Sequence, residues 1–174
     1  MNSEYNTILA VDDNPAILTA LRICLGGMFG RVLTLDSPDS IVTTLERERA
    51  DAVLLDMNFA PGVNSGRDGL LWLRAVVKRF PGLPVVLMTA YADIQLAVQG
   101  MQQGAADFVT KPWDNDELKA KLRDAINRSR QIEPLDLMER EHVQKAVEQC
   151  GGNMSRAAEM LGITRQTLYA KMKK

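Results

Sequence analysis

AVLLD, residues 52–56, is an unbroken apolar run that ends on an aspartate. A run of that length without a polar interruption reads as a strand covered on both faces, as in a parallel sheet flanked by helices. Four similar runs accompany it: TILAV (7–11), RVLTL (31–35), PVVLM (84–88) and DFVT (107–110). Amphipathic stretches lie at roughly 15–27, 38–49, 68–79, 93–103 and 114–130. Strand and helix alternating five times predicts an α/β fold with a doubly wound five-stranded parallel sheet over residues 1–127. The helix starts are marked as well. Asn14 and Ser37 each precede a proline suited to the first helical position, and Asp93 can cap the helix after Tyr91-Ala92. Asp114 with Glu117 makes a capping box in which a carboxylate is the cap.

Functional groups of such sheets gather beyond the carboxyl ends of the strands. That rule selects Asp12 and Asp13 after the first run, Asp56 ending the third, Thr89 ending the fourth and Lys111 following the fifth. Three carboxylates at one edge repel one another unless a cation lies among them, and hard oxygen donors with room for water suit Mg2+. Phosphoryl transfer needs mostly positioning and charge neutralisation, which such a set supplies. Asp56, at the end of a central strand, is the candidate phosphoacceptor. Asp12, Asp13, Asp56 and the main-chain carbonyl of Asn58 are the candidate metal ligands, and Lys111 and Thr89 the candidate phosphoryl contacts. Each residue alone is an ordinary turn or solvent-facing side chain; their joint placement carries the reading.

VDDNP (11–15), LLDMN (54–58), LMTAY (87–91) and FVTKPW (108–113) resemble the receiver domains of bacterial two-component response regulators, over about residues 5–127. The resemblance implies a CheY-like receiver in which a sensor histidine kinase donates a phosphoryl group to Asp56. It implies that Asp12 and Asp13 are the acidic pair, Thr89 the conformational threonine and Phe108 the aromatic that follows it inward. It further implies a cis peptide at Lys111-Pro112. A receiver is not an enzyme in the usual sense: it catalyses only its own phosphorylation and slow dephosphorylation. Phosphatases of the haloacid dehalogenase type also use an Asp nucleophile and Mg2+, but normally carry a second Asp where this chain has Asn58. The loop MNFAPGVNSGRDG (57–69) is longer than the family's usual turn; shielding of the phosphoaspartate, kinase contact and a tolerated insertion are all open readings.

Residues 128–134 read as a linker ending at Pro134, after which strand signals cease. Helical patterns at 136–149, 153–161 and 164–173, broken by Gly151-Gly152 and Gly162, predict a small all-α helix-turn-helix unit over 135–174. Asn153 and Thr164 cap its last two helices, Ala157, Ala158 and Leu161 face inward, and Leu168 with Met172 forms the last helix's buried stripe. Candidate DNA contacts are Thr164, Arg165, Gln166, Thr167, Tyr169, Lys171 and Lys173, with Asn153, Ser155 and Arg156 ahead of them. The first residues of such a helix suit base edges, and Lys171, Lys173 and Lys174 suit phosphates. A helical docking module with a solvated basic face is the bland alternative.

The spacing over 134–174 resembles the Fis-type DNA-binding domains of NtrC-class activators. The resemblance implies a homodimer, formed by the helix over 136–149 through positions such as Leu137, Val143 and Val147, that reads a two-fold symmetric site. Those activators carry an ATPase between the two modules. Residues 130–134 leave no space for one here, and no Gly-rich Lys-Ser/Thr phosphate loop occurs. A naturally compact regulator and loss of the ATPase both account for this, and the chain stops at Lys174, a few residues short of the usual Fis-type tail.

Charge supports the division. The 174 residues carry a net charge of −1, yet residues 153–174 hold five basic side chains against one acidic, so only the tip suits nucleic acid. No apolar run approaches the ~18 residues of a membrane span. The first residues are acidic where a signal peptide is basic, so a cytoplasmic protein is expected. Cys24 and Cys150 read as reduced, buried thiols, and His142 as a solvated side chain. The combined expectation is a transcriptional regulator switched by phosphorylation of Asp56, with a phosphorelay intermediate as the competing class.

Overall fold

A computed structural model describes residues 3–59, 67–90, 94–131 and 135–173. Strands β1 (Tyr5–Val11), β2 (Phe29–Leu35), β3 (Ala52–Asp56), β4 (Val85–Ala90) and β5 (Asp107–Lys111) form one sheet in the order β2-β1-β3-β4-β5. Every pairing is parallel. Helices α1 (Pro15–Leu25), α2 (Ile41–Arg47), α3 (Arg67–Arg79), α4 (Ile94–Gln102) and α5 (Asn115–Gln131) alternate with the strands. Each apolar run is a strand, with ends shifted by a few residues. β1 starts early because the Tyr5 amide donates to the Met28 carbonyl at 3.0 Å.

Strand alternation divides the interior into two cores. Ile8, Ala10, Ala52, Leu54, Val86, Met88 and Val109 pack with Leu18, Leu21 and Leu25 of α1 and Leu118, Leu122 and Ile126 of α5. The intervening residues Leu9, Val11, Val53, Leu55, Val85 and Leu87 pack with Ile41 and Leu45 of α2 and Leu70, Leu73 and Val76 of α3. Side chains of a strand point to opposite faces in turn, so consecutive apolar residues are needed when both faces are covered.

Local capping follows the sequence closely. The Asn14 side chain accepts from the Ala16 amide at 3.0 Å, and Asp114 accepts from the amides of Asp116 and Glu117 at 2.9 and 3.0 Å. Glu117 does not close a reciprocal box; it reaches toward Lys121 at 3.8 Å. Ser37 caps only a short 3-10 turn, Pro38–Ser40. Asp93 and most of the loop after Asp56 lie outside the described residues.

The end of α5 is bound to the starts of two strands. Arg123 makes a two-point ion pair with Glu4 at 2.8 and 3.0 Å. The Tyr5 hydroxyl donates to Asn127 at 3.4 Å, and the Arg130 guanidinium lies over the Tyr5 ring and 2.9 Å from Asp51. Asp51 also accepts the Asn6 and Thr7 amides. The fifth helix, expected over 114–130 with a frayed end running into the linker, continues to Gln131, and the compact units run Met1–Gln131 and Ile132–Lys174.

In the second unit α6 (Leu135–Gln149), α7 (Met154–Met160) and α8 (Arg165–Lys173) enclose a small core of Val143, Ala157, Ala158 and Leu168. Gly162, at φ +64°, supplies the left-handed residue of the turn before α8. Three expectations change. Met172 is 47% exposed, because the inward face of α8 continues from Leu168 to the half-buried Lys171 rather than to Met172. Val143 is buried inside its own unit and so does not offer the free dimer face expected of it, whereas Val147 is only half-buried there; the Leu137 side chain lies outside the described ones. Cys24 and Cys150 are free thiols but only half-buried, since each sits at the margin of its core. His142 is exposed, as expected, and no described helix is long and apolar enough to cross a membrane.

A core this small supplies only about 3–5 kcal/mol. Leu168→Ala removes about 2–5 kcal/mol of buried packing. Amide NMR spectra of the variant should lose dispersion over residues 135–173 while receiver resonances persist. Retained dispersion in both units would show that Leu168 is not the keystone.

Candidate functional site

The order of the sheet reverses between β1 and β3, and the crevice outside that reversal is where doubly wound folds bind ligands. Strand parity decides which side chains reach it. Ala10, Leu54 and Val109 face the α1/α5 core, and the residues two further on are Asp12, Asp56 and Lys111. These three meet. The Lys111 ammonium donates to Asp12 Oδ2 at 2.6 Å and to Asp56 Oδ1 at 2.8 Å. Asp12 is 0% and Asp56 4% exposed. The Asn14 amide donates to the other Asp12 oxygen at 2.9 Å, so the cap of α1 also orients this acid. Asp13 is exposed, yet Asp12, Asp13 and Asp56 each bring a carboxylate oxygen within 4.8 Å of the others. The Lys111-Pro112 peptide is cis.

Burial raises the Asp56 carboxyl above its ordinary value; Lys111 pulls it down and Asp12 pushes it up, leaving it raised. Burial pushes Lys111 down, but its bonds to Asp12 and Asp56 outweigh this and hold the ammonium above its ordinary value. The result is a charged lysine clamped between two acids, one of which ionises reluctantly.

Thr89 and Phe108 fall on the opposite parity. Thr89 is fully buried, and its hydroxyl donates to the Ala90 carbonyl at 3.3 Å rather than to Asp56. Phe108 is half-buried against the α2/α3 core, with the Lys121 ammonium 5.3 Å from its ring centre. Asn58 is half-buried just after β3. Beside Lys111, Ile17, Pro112 and Trp113 line an open, mainly apolar hollow of about 400 Å³, which sequence reasoning did not foresee.

In the second unit the predicted contacts separate into two groups. Asn153 caps α7 through the Arg156 amide at 3.1 Å, and Thr164 caps α8 through the Thr167 amide at 3.2 Å. The Thr164 and Thr167 hydroxyls are also bonded to each other at 2.8 Å. These three residues hold the helices in place. Ser155, Arg156, Arg165, Gln166 and Tyr169 are exposed, with Arg165 folded against Tyr169, 5.7 Å from its ring centre. Lys171, expected at a phosphate, is ion-paired with Glu139 of α6, because it lies on the half-buried side of α8. The Lys173 side chain lies outside the described ones.

Residues 8–123, two thirds of the chain, match the response regulator receiver domain. The chain belongs to that family. Residues 134–174 of this response regulator match the Fis family of bacterial regulatory proteins. The DNA-binding transcriptional regulator NtrC of Salmonella typhimurium is 34% identical over 120 residues, 69% of this chain and 24% of that protein. The transcriptional regulatory protein ZraR of Escherichia coli is 32% identical over 133 residues, 76% of this chain and 29% of that protein. The chain thus spans about a quarter of the length of the curated relatives it matches. Among solved structures, the receiver domain of a response regulator from Bacteroides fragilis is 48% identical, with TM-score 0.64, covering 70% of this chain and 97% of that one. The receiver domain of NtrX from Brucella abortus is 30% identical, with TM-score 0.63, covering 69% and 98%.

The raised carboxyl has a measurable consequence. A raised folded-state value favours the fold below the ordinary carboxyl range, and that contribution is lost as pH rises through the raised value. At neutral pH the ionised Asp56 therefore burdens the receiver. Lys111 acts oppositely, but its contribution fades only above its ordinary value of 10.5, outside this window. Without divalent cations, Asp56→Asn should melt a few degrees higher than wild type at pH 7.5, at about 3 °C per kcal/mol. The gap should close as the pH falls toward 4. An unchanged gap across that range would refute the burial argument.

Proposed function

We propose that this response regulator accepts a phosphoryl group on Asp56 from a sensor histidine kinase and thereby controls transcription through its C-terminal helix-turn-helix. The observation that carries the reading is the Lys111 ammonium bonded to Asp12 and Asp56 in the crevice where the sheet order reverses. Asp56 attacks phosphorus, the bond from phosphorus to the kinase histidine breaks, and an acyl phosphate results. Lys111, already 2.8 Å from the nucleophile, then donates to a phosphoryl oxygen.

The carboxylates of Asp12, Asp13 and Asp56 are the hard oxygen donors that Mg2+ prefers, and their mutual spacing suits a single ion. With the Asn58 carbonyl they would hold it. When bound, the cation neutralises charge on the phosphoryl oxygens. Thr89 would exchange its bond to the Ala90 carbonyl for one to the phosphoryl group, and Phe108 would move into the space it leaves. The chemistry ends on the protein's own aspartate, without turnover of an external phosphoester.

Arg156, Arg165, Gln166 and Tyr169 are the DNA contacts we assign, Arg165 and Gln166 to base edges and Arg156 to phosphate. We assign pairing of two copies to the receiver. Ile94, Val98 and Met101, at helical spacing on α4, expose an apolar stripe that supports this. Paired receivers raise the effective concentration of two recognition helices. The proposed site of action is the cytoplasm.

Acetyl phosphate with Mg2+ should add one phosphate to wild type and none to Asp56→Ala, by intact mass. Light scattering should report a shift toward dimer in the phosphorylated protein. Absence of any adduct would end the phosphoacceptor reading. In DNA-binding titrations against salt, Arg156→Ala should lower the logarithmic slope by about one, and Lys171→Ala should leave it unchanged. A lowered slope for Lys171→Ala would return that residue to the phosphate contacts.

A further inference from the structure

The long excursion after Asp56 returns to its own root. Gly69, in the first turn of α3, donates its amide to the Met57 carbonyl at 3.3 Å. A Cβ on Gly69 would lie 2.6 Å from Met57 Cα, 2.7 Å from its carbonyl oxygen and 3.0 Å from its carbonyl carbon. All three are backbone atoms, so no side-chain rotation relieves the overlap. Gly69 is not among the glycines of positive φ, so it is required for closeness and not for backbone freedom. Met57 is held from the other side too: its amide donates to Met88 of β4 at 3.0 Å, and its side chain is fully buried.

We infer that Gly69 is a positioning residue for the cation site and a determinant of its preference for Mg2+ over Ca2+. The inference rests on the Mg2+ reading above. Met57 joins Asp56 to Asn58, the two ligands that β3 contributes. α3, seated against Met57 through Gly69, fixes the main chain that carries both. Mg2+ demands near-ideal octahedral geometry, whereas Ca2+ accepts irregular shells of six to eight oxygens. A displacement of the 56–58 backbone by a few tenths of an ångström therefore penalises Mg2+ far more than Ca2+. Groups that orient metal ligands typically govern about ten- to hundred-fold in affinity.

The test uses the full chain and isothermal titration with MgCl2 and with CaCl2. Gly69→Ala should weaken Mg2+ binding at least about tenfold, and Ca2+ binding much less. Gly100→Ala is the control. Its Cβ would collide with the Leu87 side chain, stressing α4 against β4 without touching residues 56–58, and it should leave both affinities near wild type. A second measurement needs no variant. Since coupling is reciprocal, Mg2+ should slow hydrogen exchange at the Gly69 amide of the wild-type protein. Wild-type Mg2+ affinity in Gly69→Ala, equal losses for both cations, or Mg2+-independent exchange at Gly69 would each overturn the inference. Failure of the wild-type protein to bind Mg2+ would overturn it together with the metal reading.

Discussion

One ammonium between two buried carboxylates sets the terms for the reactive edge. Removing a carboxylate from water carries a penalty of several kcal/mol unless it is paired and hydrogen-bonded. Asp12 meets that condition twice, through Lys111 and the Asn14 amide. Asp56 meets it through the same lysine. With Asp13 beside them, three carboxylates face one ammonium. Fully ionised, that set has an excess of two negative charges, the complement of one divalent cation. The residual negative charge of the three carboxylates suits a divalent cation.

The sheet divides the candidate site residues between its two faces. Asp12, Asp56 and Lys111 continue the alternation that faces α1 and α5, whereas Thr89 and Phe108 continue the one that faces the other core. Thr89 ends the strand next to Asp56, which stands opposite Met88 in the ladder.

The strands, the sheet and the acidic edge were legible because they depend on local signals: apolar runs, capping residues and the position of a polar residue at a strand end. Lys111 was foreseen as a phosphoryl contact but not as a bridge between two acids, since pairing across strands depends on register and parity together. Val143 was read as a dimer position and Met172 as core. Both errors have one origin: an amphipathic pattern states that a face is buried but not what covers it, and the covering surface here is another helix of the same small unit. The helix over 114–130 was legible, but what ties down its end was not. Arg130 looks like a solvated charge until Asp51, distant in sequence, is placed beside it. Gly69 had no distinguishing mark among the loop glycines, because close approach to a backbone leaves no trace in the residue's own neighbours.

The ties of α5 to Glu4, Tyr5 and Asp51 bring the two ends of the receiver fold together. They meet at the amino edge of the parallel sheet, and the carboxylates lie at the carboxyl edge. A unit built this way behaves as a cassette: gene fusion at either end leaves its reactive edge unaltered, and the seam is already sealed by charge pairs internal to the cassette. Recombination can therefore append a three-helix tip or a much longer partner to the same receiver without redesigning either.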